Sequence, residues 1–187
     1  MEKIDERFFR REPVICAKEL IGCVFSWKGC EGRIVETEAY LEHGDPACHT
    51  WTRPSARDFL DRNDAGTAYV YLNYGVHWLF NMVVKSGLGS GFVLFRALEP
   101  TKGLESMRLR RGDLANSDLC SGPGKLTKAF GIDGSDHGTA FLNASNAGLF
   151  YGNCDSIVSG PRIGISRATE REWRFGDQIS KSLSKNF

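Results

Sequence analysis

The sequence has 187 residues, 41% of them apolar and 25% charged, which is enough for one globular domain over 1–187 with its own core. No stretch approaches the roughly 18 consecutive apolar residues of a membrane span, and the N-terminus lacks a signal-peptide pattern, so an intracellular protein with no membrane association is expected. The net charge of +1 neither favours nor excludes nucleic acid, because a small footprint needs only local positive charge.

The cysteines give no sign of a disulfide framework or a metal site. Six are present, with no Cys-x-x-Cys pair and no zinc-ligand spacing. We therefore expect reduced, mostly buried thiols and no bound metal.

The first part of the chain is predicted to form a short helix and a β-hairpin. Pro13 would lie in the first turn of the helix and Gly22 at its end. A strand over 23–27 and a second strand that begins at Gly32 make a hairpin plausible.

The second strand of this hairpin carries two carboxylates. Period-2 alternation places four side chains on one face of it: Ile34, Glu36, Glu38 and Tyr40. An exposed strand can carry glutamates for solubility alone, and paired carboxylates are also typical of glycoside hydrolases, so both alternatives stay open at this point.

Turn-forming residues are dense between 41 and 67, which predicts a long functional loop with at most one short helix. In the strand that follows, alternation places Tyr69, Tyr71 and Asn73 on one face. Tyr74 precedes Gly75 at a turn, where its side chain can project outward.

Two apolar strands are predicted over 78–84 and 92–98, and each is interrupted by a polar residue, Asn81 or Arg96. Burial of an unpaired cation costs roughly several kcal/mol, so Arg96 needs an anionic partner. Glu36 or Glu38 is the natural candidate.

Two helices and a last strand complete the predicted elements. One helix spans 101–111 with Thr101 as N-cap, and another runs from Gly122 to Gly131. Residues 133–160 show no clear pattern, and a final strand is predicted over 161–165. These elements together indicate an α+β protein.

Several segments resemble the signature segments of the alkyladenine (3-methyladenine) DNA glycosylases, in the order and approximate spacing of that family. They are Thr37–Leu41 followed by Asp45, Pro46, Ala47 and His49; Ala68–Gly75; Leu94–Pro100; Leu119–Leu126; and Trp173–Phe175. The resemblance covers about residues 13–175. The segment 53–58 and the tail after Phe175 depart from the family pattern.

The resemblance implies a single mixed α+β domain with a curved, mainly antiparallel β-sheet core and peripheral helices. It also implies a monofunctional DNA glycosylase that flips alkylated or deaminated purines out of double-stranded DNA and hydrolyses their N-glycosidic bond in base excision repair. A monomer without a cofactor is expected. The preferred lesion stays open among 3-methyladenine, 7-methylguanine, hypoxanthine and ethenoadenine.

For catalysis, the resemblance implies that Glu38 deprotonates a water that attacks C1′, while Arg96 holds that water and orients the carboxylate. This arrangement uses one carboxylate, so it gives no catalytic role to Glu36.

For substrate binding, the resemblance implies that Tyr40, His49 and Tyr71 sandwich the flipped base. Asn81 would oppose the exocyclic amine of normal guanine, and Tyr74 would intercalate in place of the flipped nucleotide.

Two alternatives from other classes remain. One is a damaged-DNA-binding protein that does not catalyse, although the presence of both Glu38 and Arg96 speaks against it. The other is a metal-dependent hydrolase that would use His43, Asp45, His49 and His77.

Overall fold

A computed structural model describes residues 1–187 as an open, eight-stranded antiparallel sheet with short helices around it. This confirms the predicted α+β class with a mainly antiparallel sheet. The strands are β1 (Val24–Trp27), β2 (Cys30–Leu41), β3 (Ala68–Asn73), β4 (His77–Val84), β5 (Gly91–Lys102), β6 (Ala147–Phe150), β7 (Ile157–Gly160) and β8 (Arg174–Asp177).

The helices are short and lie between the strands. They are α1 (Pro13–Glu19), α2 (His49–Thr52), α3 (Pro54–Arg62), α4 (Leu104–Arg111), α5 (Asn116–Leu119) and α6 (Pro123–Phe130), with 3₁₀ turns at Glu6–Arg10, Gly134–Asp136 and Phe141–Asn143. None of them is long and apolar enough to cross a membrane.

Strand β2 organises the sheet, whose main order is β3-β4-β5-β2-β1-β6. One edge of β2 pairs with β5 along the strand, while the other edge pairs first with β1 and then with β8. The β1–β2 hairpin was predicted correctly, and its two-residue turn has positive φ at both Lys28 and Gly29, which suits the twist of the flanking strands.

A β-bulge in β2 changes the predicted alternation. Ile34 pairs with Leu98 and Glu36 pairs with Ala97, so Val35 has no partner on β5. Beyond the bulge the side chains switch faces, and Ile34 joins the main core with Leu98 while Glu36 and Glu38 point at Arg96. The predicted common face of Ile34 with Glu36, Glu38 and Tyr40 is therefore wrong for Ile34.

The two faces of the sheet carry different layers. The main core is rich in aromatic side chains, with Phe25 and Phe141 stacked at 5.2 Å between ring centroids. A smaller cluster on α3 and the strands includes Leu60, Tyr69 and Phe92, and the partly buried Tyr40 and Tyr71 pack against it. That second cluster supports the aromatic side chains of the site described below.

Two predictions about helices need correction. The 41–67 segment holds two helices rather than at most one, because Pro54 occupies the first turn of α3, where its missing N–H costs nothing. Thr101 does not cap α4, because strand β5 continues as far as Lys102. The residue at the N-cap position of α4 is Gly103, which has φ of 78°.

The strand predicted over 161–165 is not formed, and the last strand is β8. Gly164 has φ of 77°, which is incompatible with a strand. The segment is instead a loop whose Arg162 side chain and Ile163 N–H bond to Asp45 and Glu38. Residues 133–160, where nothing was predicted, contain β6 and β7.

We predict that Gly91→Ala lowers the free energy of unfolding by about 1–3 kcal/mol, because the added methyl group would overlap the carbonyl oxygen of Tyr40. Gly87→Ala is the matched control, because a Cβ there meets open space. Denaturant unfolding of both variants measures the difference. Equal stability would show that β2 and β5 are less closely packed at this point.

Candidate active site

A cavity of about 540 Å³ opens on the face of the sheet that carries Arg96. Its volume is within the range of small-molecule pockets, and aromatic and apolar side chains make up half of its lining. Most of the predicted site residues lie on its wall: Tyr40, His49, Tyr71, Tyr74, Asn81 and Arg96. The strands contribute four of these, the turn between β3 and β4 contributes Tyr74, and α2 contributes His49.

Glu38 lies directly behind this wall and is fully buried. Its Oε2 accepts a hydrogen bond of 2.7 Å from the Tyr40 hydroxyl, and its Oε1 accepts one of 2.7 Å from the Ile163 N–H. Nη1 of Arg96 lies 3.3 Å from the same Oε1. All three partners line the cavity, so the carboxylate is held immediately next to it.

Glu36 is also fully buried, but its oxygens are occupied by other groups. Nε of Arg96 and Nε of Arg174 each donate to Oε1 at 2.8 Å. Ser184 donates from its backbone N–H to Oε2 at 2.6 Å and from its hydroxyl to Oε1 at 2.8 Å. The prediction that Arg96 pairs with Glu36 or Glu38 is thus confirmed for both.

The electrostatics favour the ionised form of Glu36, and both of its carboxylate oxygens already accept hydrogen bonds from the protein. Burial acts to raise the pKa of Glu36, but the charges of Arg96 and Arg174 and the hydrogen bonds from Ser184 lower it overall. A second catalytic carboxylate, as in glycoside hydrolases, needs freedom to donate or accept a proton. The geometry assigns Glu36 to structural ion pairing instead.

His49, Tyr69 and Tyr71 form one aromatic part of the cavity wall. The rings of His49 and Tyr71 lie 4.3 Å apart at 65°, and Nδ1 of His49 is 3.2 Å from the Tyr69 hydroxyl. Burial, with a smaller contribution from Arg53, lowers the pKa of His49 to about 4, so its ring is neutral at pH 7. The wall therefore presents an uncharged imidazole and two phenols.

Tyr40 keeps its proton because burial and the neighbouring Glu38 charge raise the pKa of its hydroxyl well above the ordinary value. It can therefore serve as a lasting hydrogen-bond donor to Glu38. The other side of the site contains Asn81, whose Nδ2 donates to the Tyr69 carbonyl at 3.1 Å. Its side-chain oxygen accepts no hydrogen bond from the protein.

Tyr74 stands in the turn between β3 and β4 with φ of 51°, followed by Gly75 with φ of 71°. These left-handed residues push the phenol out of the sheet, and 84% of the residue is exposed. The predicted outward projection is confirmed. Because Tyr74 also lines the cavity, its ring stands at the mouth.

The donor set proposed for a metal site is not assembled. His43 is largely exposed, Asp45 is buried in an ion pair with Arg162 at 2.6 Å, and His77 lines a different cleft from His49. No group of three or more His, Cys, Asp or Glu side chains is arranged to hold a metal ion. The metal-dependent hydrolase alternative built on these residues is therefore wrong.

Several residues that shape the site were not predicted: Arg162 and Ile163 in the 161–167 loop, Arg174 on β8, and Ser184 in the tail. Arg174 did carry a signal, since it is a cation beside the aromatic Trp173 and Phe175 in a segment similar to the family. Ser184 carried none, because its contact with Glu36 spans 148 positions of sequence.

A family profile and individual proteins that are similar to this chain carry related names. A family profile described as methylpurine-DNA glycosylase (MPG) matches residues 7–181. Proteins named "Putative 3-methyladenine DNA glycosylase" from two strains of Rhodopseudomonas palustris are 46% and 44% identical, covering 96% and 97% of this chain and 87% and 90% of their own. A protein of that name from Salinibacter ruber is 42% identical over 94% of this chain and 93% of its own.

We predict that Glu36→Gln lowers the free energy of unfolding at pH 7 by about 3–5 kcal/mol, because Arg96 and Arg174 lose the carboxylate that they share. Glu99→Gln is the control: Glu99 pairs with Arg33 but its side chain is 42% exposed, so a loss below about 1 kcal/mol is expected.

The difference in the free energy of unfolding between the parent and Glu36→Gln should depend on pH. Since the pKa of Glu36 is lowered from 4.5, its stabilisation is present above that value and is lost as pH falls through the lowered pKa. Parent and Glu36→Gln should therefore converge in acid. Chemical unfolding at pH 7 and in acid measures this, and a constant difference would contradict it.

Proposed function

Because this chain belongs to the methylpurine-DNA glycosylase family and is therefore a DNA glycosylase, we propose that it flips alkylated or deaminated purines out of double-stranded DNA. It then hydrolyses their N-glycosidic bond as a step of base excision repair. The observation that carries this proposal is the buried Glu38–Arg96 pair immediately behind an aromatic cavity large enough for a nucleobase. The protein works as a monomer.

The chemical step needs one general base. A water attacks C1′, the glycosidic bond breaks with its electron pair leaving on the base, and Glu38 accepts the proton from the water. Such transfer requires the water within about 2.6–3.2 Å of the carboxylate. Arg96 on the wall, with Tyr40 and Ile163, fixes the carboxylate where that water and the flipped sugar meet.

Base recognition rests on the aromatic wall. Stacking of a base on an aromatic side chain contributes about 1–3 kcal/mol, and positively charged alkylated purines gain further from the π faces of Tyr40 and Tyr71. His49 is neutral and its Nδ1 faces the Tyr69 hydroxyl, so Nε2 is the atom left to bond the purine.

Asn81 excludes normal guanine in this proposal. Its bond to the Tyr69 carbonyl fixes the amide, so the side chain cannot turn away from an exocyclic amine placed against it. Adenine-derived bases and hypoxanthine carry no amine at that position. Selection therefore depends on a fixed group in the pocket.

The complete burial of Glu38 favours one alternative, a protein that binds damaged DNA without excising it. In that case the carboxylate would serve only to neutralise Arg96. Excision of a lesion-bearing strand distinguishes the two functions directly.

We predict that Glu38→Gln lowers the single-turnover excision rate by at least about 10²–10⁴-fold, because an amide cannot accept the proton of water at neutral pH. The variant should still bind lesion-bearing DNA. The control is Glu42→Gln, four positions further along the chain and partly exposed, which should excise at the parental rate. Assays in EDTA also test the absence of a metal requirement, and a parental rate for Glu38→Gln would refute the assignment.

We predict that Tyr74→Ala weakens capture of the flipped lesion with no loss of stability, because the exposed ring at the cavity mouth fills the gap left in the duplex. Leu88→Ala is the matched control, an exposed apolar side chain in the turn between β4 and β5. Single-turnover rates and lesion affinity are measured for both. Equal values for the two variants would exclude a wedge at Tyr74.

A further inference from the structure

The ion pair of Asp45 and Arg162 lies behind the cavity and is completely buried on both sides. Nη1 and Nη2 of Arg162 bind the two carboxylate oxygens of Asp45 at 2.6 and 2.8 Å. Nε of Arg162 is buried without a hydrogen-bond partner. A buried donor left unpaired is unfavourable, so stability alone does not account for this arrangement.

Arg162 contacts the parts of the site that surround Glu38. Its Nη1 also donates to the Ala39 carbonyl at 3.0 Å, and its guanidinium lies 4.6 Å from the centroid of the Tyr40 ring and 5.2 Å from that of Trp173. The next residue in the chain, Ile163, donates its N–H to Glu38. The position of Arg162 therefore determines where both the Tyr40 ring and the Ile163 N–H stand.

Asp45 fixes a second segment of the cavity. Its carboxylate accepts the N–H groups of Leu41 and Ala47 at 3.1 and 3.2 Å, and its carbonyl accepts that of Cys48. Pro46, Ala47 and His49 of this segment line the cavity. One ion pair thus connects the end of β2, the turn that leads to His49, and the 161–167 loop.

We propose that Asp45 and Arg162 are positioning residues for the excision reaction, which hold the Ile163 N–H on Glu38 and the Tyr40 and His49 rings at the base pocket. This inference rests on the proposed function. The pair does not touch the reacting atoms, and it acts through Glu38 and the two rings.

The test variant is Asp45→Asn combined with Arg162→Gln, which removes both charges together so that neither is left buried and alone. The control is Asp177→Asn combined with Arg33→Gln. These two residues also form an ion pair, with 2.6 Å between Nη2 of Arg33 and Oδ2 of the buried Asp177, and neither of them lines the cavity. If the double variant does not fold, Arg162→Lys keeps the charge but loses the planar fork, and takes its place.

Two measurements are made on each protein. The single-turnover excision rate at saturating enzyme should fall by about 10- to 100-fold in the test variant, while binding to undamaged duplex stays unchanged, because small misplacements of catalytic groups are costly. Amide exchange of Ile163, followed by NMR, should accelerate because its hydrogen bond to Glu38 is lost. The control should show neither change.

The outcomes separate this inference from the proposed function. Parental excision or parental exchange at Ile163 in the test variant overturns the positioning role, and so does an equal loss of excision in the control. If the parent protein itself excises no lesion, the proposed function fails. The exchange rate at Ile163 then still decides whether the ion pair holds that N–H on Glu38.

Discussion

The arrangement depends on Arg96, which lies between two carboxylates that the sheet buries completely. It donates from Nε to Glu36 and places Nη1 against Glu38. With Arg174, the group contains two positive and two negative charges, so its members compensate one another where an isolated charge would be costly. The groups that compensate the charge of Glu36 come from distant parts of the chain, because Arg174 lies on β8 and Ser184 in the tail. The last segment of the chain therefore completes the set of partners around Glu36 and Arg96.

The bulge at Val35 explains why two glutamates on one strand differ in role. It changes the register of β2 where the neighbour on one edge changes from β1 to β8. Glu36 then pairs with Gly176 of β8, and its side chain reaches the Arg174 guanidinium. Glu36 thereby acquires two arginines and both donors of Ser184. Glu38, two residues on, meets only groups that line the cavity. The same residue type becomes a structural anion in one case and the proposed base in the other.

Local sequence patterns predicted much of this site, since strand periodicity and an apolar run determine faces and partners over short distances. The face shared by Tyr69, Tyr71 and Asn73 and the pairing of Arg96 followed from such patterns. The 161–165 segment was misread as a strand because its loop is stabilised by contacts with Asp45 and Glu38, more than 100 positions earlier in the sequence. Hydrogen bonds across that separation leave no periodic signal. The resemblance to the family identified which side chains matter, but the structure revealed what holds them.

The proposed selectivity follows from how firmly the site is held. Tyr40 is tied to Glu38 through its hydroxyl and lies against Arg162 through its ring, and Asn81 is tied to the backbone of β3. A pocket built on such bonds cannot reshape itself around each base that enters it. Discrimination must then come from the fit of the base to fixed groups and from the free energy of extruding it, which is smallest for damaged or mismatched bases. Under the proposed function, rejection of guanine therefore depends on the fixed Asn81 amide, and the choice among the other purines depends on the free energy of extrusion.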